Sequence, residues 1–129
     1  MKLHVDIKSP GKSIQKQFNA YYPFLKIEFF RNPSGENLSA KIEQAGYEGF
    51  LENLFNSKVS GTIDVEHGRT VAEVENDFKK QFGLSAQIFR RSGNVWIKTT
   101  LTDDWTLEKQ NKEGEQISSH FTTKLSKRL

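Results

Sequence analysis

The sequence predicts a mixed α+β domain with a ferredoxin-like core, in which the elements follow the order βαββαβ. One observation is a near repeat: LKIEFFRNPSG at 25–35 returns as AQIFRRSGN at 86–94, and a helix-patterned stretch precedes each copy. A second is the alternation of apolar and polar residues in several short stretches, which is typical of strands with one buried face. We therefore expect an antiparallel sheet with two main helices on one face, together with an added C-terminal hairpin and short helices.

The first half of the chain is predicted to form a strand, a helix and a second strand. Residues 2–7 alternate apolar and polar side chains, as do residues 25–29 before an Asn-Pro-Ser-Gly turn. Between them, apolar residues recur at helical spacing: Ile14, Phe18, Tyr21 and Tyr22. Ser9 or Ser13 can cap this helix, and Pro23 ends it because the residue before a proline avoids the helical conformation.

The middle of the chain is predicted to add two short helices and a third strand. Residues 36–58 are helix-biased, and Gly46 and Gly49 divide them. The expected buried anchors of this stretch are large apolar residues: Leu38, Ile42, Phe50, Leu54 and Phe55. At 59–66 the period of two returns, which predicts a strand.

The clearest local signal lies at 70–83. Thr70 and Glu73 match a capping box, in which each side chain satisfies a backbone N–H of the first helical turn, and Gly83 stands where a helix ends. An apolar stripe runs behind the box: Val71, Val74, Phe78 and Phe82. Residues 86–90 and 95–100 are then predicted to form a hairpin. We expect one short helix within 102–116 and a last strand at 117–122.

The length of 129 residues indicates a single domain, which we place at 1–123. Its 10 Phe, 3 Tyr and 2 Trp are spread along the chain and supply the large side chains of a core. The net charge is +3, and without Lys124, Lys127 and Arg128 the basic and acidic residues are equal in number. The basicity therefore belongs to a predicted C-terminal tail at 124–129, which is more typical of a solvated end than of a nucleic-acid-binding surface.

Composition and motifs give little support for catalysis. The chain has no Cys, which excludes disulfides and thiolate chemistry, and no apolar run long enough to span a membrane, so we expect a soluble cytoplasmic protein without a cofactor. The Gly-Lys-Ser at 11–13 lacks the earlier glycine of a phosphate-binding loop. Asp64, Glu66 and His67 could form a hard-metal or acid/base cluster, but an exposed strand end produces the same residues.

Five residues on or near the predicted hairpin are the candidate binding residues: Phe30, Phe89, Arg90, Arg91 and Trp96. The three aromatic residues are out of phase with the buried residues of their own strands, so they are expected on the far side of the sheet. There they are either covered by the C-terminal segment that holds Trp105 and Phe121, or exposed as an apolar patch for a partner.

We expect a non-catalytic protein-interaction or assembly module that binds a protein partner or a second copy of itself. The alternative is single-stranded RNA or DNA binding through the 86–100 hairpin and the basic tail, because aromatic rings stack on bases and arginines hold phosphates. An enzyme ranks third, since acid/base sites can assemble from scattered positions. We expect no membrane partner.

Overall fold

The structure, a computed structural model, describes residues 1–6, 11–31, 36–37 and 60–128, with side chains described at 1–6, 12–30 and 60–120. The predicted helices of 36–58 fall outside these residues, except that 36–37 form a strand. Ile7, Ser9 and the anchors between Leu38 and Phe55 also lie outside them. The mixed α+β class is confirmed.

Six strands and three helices make up the described part of the chain. The strands are β1 Lys2–Val5, β2 Leu25–Arg31, β3 Glu36–Asn37, β4 Gly61–Asp64, β5 Ser85–Ser92 and β6 Val95–Lys98. The helices are α1 Gly11–Tyr21, α2 Val71–Phe82 and α3 Leu107–Arg128, and a single 3₁₀ turn spans Thr100–Thr102. Up to residue 98, the described elements other than β3 follow the predicted order of strands and helices, and β3 was not predicted.

The strands form two antiparallel sheets. β1 pairs with β4, with Leu3 opposite Ile63, and the larger sheet has the order β3-β2-β5-β6. In the larger sheet Ile27 of β2 lies opposite Ile88 of β5. A ferredoxin-like core would hold the four predicted core strands in one sheet. Because β2 takes β5 as its neighbour while β1 and β4 pair apart from them, the ferredoxin-like topology is not confirmed.

The core lies between the sheets and the helices. Its buried residues come from every described helix, from four of the strands and from the connections next to them: Leu3, Val5, Ile14, Phe18, Tyr22, Leu25, Ile27, Phe29, Ile63, Val65, Val71, Val74, Phe78, Phe82, Leu84, Ile88 and Leu107. The rings of Phe29 and Phe78 meet edge to face with centroids 5.4 Å apart, which joins β2 to α2. Each fully buried side chain of this size stabilises the fold by roughly 1.5–3 kcal/mol.

α2 begins and ends as its sequence predicts. The Thr70 hydroxyl accepts a hydrogen bond from the Glu73 backbone N–H at 3.2 Å, and the Glu73 carboxylate accepts one from the Thr70 N–H at 3.2 Å. The bonds that the N–H and the hydroxyl of Thr70 donate to the Glu73 carboxylate lower the pKa of Glu73. Gly83 ends the helix with φ 65°, a left-handed conformation that glycine adopts without steric cost.

Tyr22 connects the two sheets just after α1. Its ring is buried beside Phe18, and its hydroxyl donates a hydrogen bond to the backbone oxygen of Val65, just beyond β4. Burial raises the pKa of this hydroxyl, with smaller contributions from nearby carboxylates. Tyr22 therefore remains a neutral hydrogen-bond donor and fixes β4 relative to α1.

The C-terminal prediction is wrong. The short helix and the last strand at 117–122 are replaced by one helix, α3, which has 22 residues and continues to Arg128. The boundary predicted at 123/124 lies inside this helix, while the division into one domain and a tail stays a prediction. Among the described residues, no helix combines the length and apolar character needed to cross a bilayer.

The inward side of α3 explains the error. Its buried positions along the sheet are Leu107, Gln110 and Gly114, of which only the first is a large apolar residue. A Cβ added at Gly114 would lie 3.0 Å from the Phe24 Cβ and 3.2 Å from the Arg91 backbone oxygen, so α3 approaches the sheet closely there. This helix packs through a glycine and an amide, and such a side has no apolar period to detect.

Candidate interaction surface

The larger sheet has two faces, which the strand register assigns. Leu25, Ile27 and Ile88 point to the helices and are buried, so the alternate residues point away from them. We call this second side the outer face. On the three longer strands it consists of Lys26, Glu28, Phe30, Ser85, Gln87, Phe89, Arg91, Trp96 and Lys98. Within the described ranges no helix packs on it.

Four outer-face residues form a cation–aromatic cluster: Lys26, Phe89, Arg91 and Trp96. The Lys26 Nζ lies 5.2 Å from the ring centroid of Phe89 and 5.2 Å from that of Trp96. The Arg91 guanidinium carbon lies 5.6 Å from the Trp96 ring centroid. Such contacts stabilise by about 0.5–1 kcal/mol at exposed sites and by more when water is removed. The cluster spans all three strands and is partly buried.

Two hydrogen bonds hold the cations of this cluster in place. The Lys26 Nζ donates to a Glu28 carboxylate oxygen at 3.1 Å, and the Arg91 Nε donates to the Gly93 backbone oxygen at 3.0 Å. Gly93 has φ 67° at the hairpin turn, a conformation that suits glycine. Each cation is therefore positioned by a group two residues further along the chain before any partner binds.

The structure places four of the five candidate residues on the outer face. Phe89, Arg91 and Trp96 meet in the cluster, while Phe30 lies on the same face at the other end of β2, opposite Ser85. Arg90 points to the helix side, because it lies in phase with the buried Ile88. Lys26 was missed, although its alternation with Leu25 and Ile27 places it on the face of Phe30.

Arg90 attaches α3 to the sheet. Its Nη1 donates to the Gln110 Oε1 at 2.8 Å, and its guanidinium carbon lies 5.5 Å from the Trp105 ring centroid. Gln110 is completely buried, and its Nε2 donates to the Thr102 backbone oxygen at 2.7 Å. Trp105 therefore lies on the helix side and does not cover the outer aromatics. The side chain of Phe121, the other expected cover, lies outside the described residues.

β6 forms one edge of the sheet, and no described strand pairs with its free side. The Arg91 backbone N–H donates to the Phe24 oxygen at 2.9 Å, towards β2 and away from β6. Arg91 and Trp96 lie opposite each other but share no backbone hydrogen bond. In such a pair the backbone groups point away from the neighbouring strand, so the Trp96 N–H and C=O point to the free side of β6. The side chains of Val95 and Ile97 on the helix side of this strand are 52% and 37% exposed.

The side chain of Glu75, on α2, reaches β5 just beyond its last pair with β6, which is Phe89 with Lys98. Its Oε2 accepts a hydrogen bond from the Ile88 N–H at 2.8 Å, and the Thr99 hydroxyl donates to the Ile88 oxygen at 2.7 Å. Burial raises the pKa of Glu75 to about 7; the bond from Ile88 opposes this, and the negative charge of Asp103 adds to it. Side chains from α2 and the β6 end thus complete the hydrogen bonding of β5.

The candidate metal or acid/base residues, Asp64, Glu66 and His67, lie at and just beyond the end of β4, in the smaller sheet. The Asp64 Oδ1 accepts a hydrogen bond from the Glu66 N–H at 3.0 Å, and the His67 Nδ1 lies 3.3 Å from the Tyr22 hydroxyl. Asp64 and His67 thus have structural contacts at the end of β4. Over the described ranges, no three His, Asp or Glu side chains come together as a group that could hold a metal ion.

Similarity to characterised proteins does not identify the chain. Comparison with protein-family models, with curated proteins and with solved structures gave no match for it.

Proposed function

We propose that this protein is a non-catalytic protein-interaction or assembly module and that it binds its partner through the outer face of the larger sheet. The cation–aromatic cluster is the observation that supports this proposal. It places Phe89 and Trp96 on a sheet face that no described helix covers, with the cations of Lys26 and Arg91 beside them.

The energetic argument rests on residue type and partial burial. Tryptophan and arginine are enriched among the residues that dominate protein interfaces. The indole buries a large area, and the planar guanidinium both stacks on rings and donates several hydrogen bonds. In the cluster both are partly buried already, so a partner would complete their desolvation without reordering them. A partner with carboxylates would also pair with Lys26 and Arg91.

The test removes two side chains from the centre of the outer face without changing the fold. The double variant Arg91→Ala/Trp96→Ala is expected to lose partner retention or self-association in affinity purification from the native host. The circular dichroism spectrum should stay unchanged because neither side chain belongs to the buried core. Unchanged association of the double variant would contradict the proposal.

A matched control removes a similar contact on the opposite side of the sheet. Lys109 Nζ lies 4.2 Å from the Trp105 ring centroid, on the helix side. Lys109→Ala therefore deletes a cation over an indole ring without touching the outer face. It is expected to retain the partner, and a loss equal to that of the double variant would show that the effect is not local.

Single-stranded nucleic acid is the second candidate, and one observation favours it. Lys26, Arg91 and Lys98 surround two rings on an open sheet face, the combination that stacks bases and holds phosphates. The predicted basic tail at 124–129 would contribute further phosphate contacts. Binding of this kind falls steeply with salt because phosphate contacts release counterions. Titration with single-stranded RNA at two salt concentrations tests it: tight binding at low salt that is lost at high salt would support the nucleic-acid function, and no binding at either concentration would contradict it.

A further inference from the structure

We propose that the free edge of β6 accepts an extended segment of the partner as an added antiparallel strand, and that this segment alternates apolar with acidic residues. The inference rests on the proposed function, since it names how the partner reaches the outer face. It also goes further, because it assigns hydrogen bonds and a residue pattern to the partner.

The backbone of β6 is arranged for strand addition. The Trp96 N–H and C=O point to the free side, as argued from the Arg91 bond to Phe24. Lys98 lies opposite Phe89 two residues further on, so its N–H and C=O point the same way. Two residues thus offer four backbone groups with the spacing that an antiparallel strand pairs with, as in other proteins that bind peptides at a sheet edge.

The exposed apolar side chains are concentrated at this edge. Among the described residues, four large hydrophobic side chains are exposed, and three lie within 95–101: Val95 at 52%, Ile97 at 37% and Leu101 at 98%. An added strand would place every second side chain on the helix side, against Val95 and Ile97. Those partner positions should be apolar because they would remove exposed hydrocarbon from water.

The other side of the added strand would meet a positive surface. Its side chains would point towards Trp96 and Lys98, next to Lys26 and Arg91, whereas Glu28 is the one outer-face carboxylate on the three longer strands. A second copy of this chain pairing through β6 would bring Lys98 against these same cations, which costs free energy. Charge complementarity therefore favours an acidic strand over a second copy.

The first experiment compares two probes on the full chain: a short synthetic peptide that alternates glutamate with valine, and one that alternates lysine with valine. The acidic peptide is expected to bind at least about tenfold more tightly by calorimetry. On binding, the Trp96 and Lys98 amides should become protected from hydrogen exchange, because they enter new hydrogen bonds. Equal binding of the two peptides, or no binding of the acidic one, would overturn the proposal.

Lys98→Pro isolates the backbone contribution. Proline removes the N–H that points away from β5, and proline is tolerated on edge strands at such positions, so the hairpin should persist. Lys98→Ala is the matched control, since both changes remove the same charge. Lys98→Pro is expected to lower the affinity for the acidic peptide at least about fivefold more than Lys98→Ala does.

The outcomes separate this inference from the proposed function. If Arg91→Ala/Trp96→Ala abolishes partner retention while Lys98→Pro and Lys98→Ala bind the peptide equally, the interaction surface stands and strand addition is refuted. If the double variant retains the partner, the proposed function itself fails. Concentration-dependent dimerisation that Lys98→Pro abolishes would identify a second copy as the occupant and refute the acidic strand.

Discussion

Replacing Glu75 by glutamine tests the assignment of a buried carboxylate at the junction of α2, β5 and β6. Glutamine has the same shape and keeps an oxygen that can accept the Ile88 N–H, but it carries no charge. Burial raises the pKa of Glu75 from 4.5 to about 7 in the folded protein. The ionised form is therefore the one that folding disfavours, and the cost appears only where Glu75 ionises in the unfolded chain.

The direction and the size of the stability change follow from the difference between the pKa of Glu75 in the folded and unfolded states. Below about pH 4.5 the carboxyl is protonated in both states, and Glu75 costs nothing; as the pH rises from about 4.5 to about 7 the stability contribution falls, and above pH 7 the loss is complete. The pKa difference of about 2.5 corresponds to at most about 3.4 kcal/mol. Because the side chain is only partly buried, solvent screening reduces this to roughly 1–2 kcal/mol.

Chemical denaturation at pH 5 and pH 8 measures the effect. Glu75→Gln should unfold at higher denaturant than the wild type at pH 8, and the difference should shrink towards pH 5. Glu108→Gln is the control: its carboxylate is fully exposed, and hydrogen bonding to Lys112 lowers its pKa, so its removal should not stabilise the protein at pH 8. A Glu75→Gln variant less stable than wild type at both pH values would refute the reasoning, because the hydrogen bond to Ile88 would then need the charge.

Three further substitutions test the packing. Gly114→Ala should destabilise the protein by about 1–3 kcal/mol in denaturant unfolding although alanine favours helices, because its Cβ would lie 3.2 Å from the Arg91 oxygen; greater stability would show that α3 has room to shift. Thr70→Ala should cost about 1 kcal/mol in thermal unfolding by removing the N-cap of α2, while Thr70→Ser should cost less. Tyr22→Phe should cost about 1–2 kcal/mol by denaturant unfolding because it leaves the buried Val65 oxygen without its donor, and an unchanged midpoint would contradict that role.

Sequence reasoning succeeded where the determining contacts are local. The capping box, the apolar stripe and Gly83 specify α2 within fourteen residues, and all three are present in the structure. The partnership of β2 with β5 instead joins residues such as Ile27 and Ile88, which lie far apart in the chain. Alternation identifies a strand but not its neighbour, so the sheet order could not be predicted from it.

The same distinction applies to the candidate surface. The alternation of side chains along each strand was enough to place Phe30, Phe89 and Trp96 away from the core, and the strand register agrees. The same alternation opposed the choice of Arg90, since it lies two residues after Ile88; it was chosen because arginine beside aromatic residues is typical of binding surfaces. The buried amide of Gln110 that receives it belongs to a helix that the sequence pattern did not reveal.

The bond between Arg90 and Gln110 makes the hold of α3 on the sheet less sensitive to salt than an ion pair would be. Only one of the two groups is charged, so dissolved ions screen the contact less than they screen a pair of opposite charges. A high-salt wash should therefore leave the C-terminal helix attached to β5.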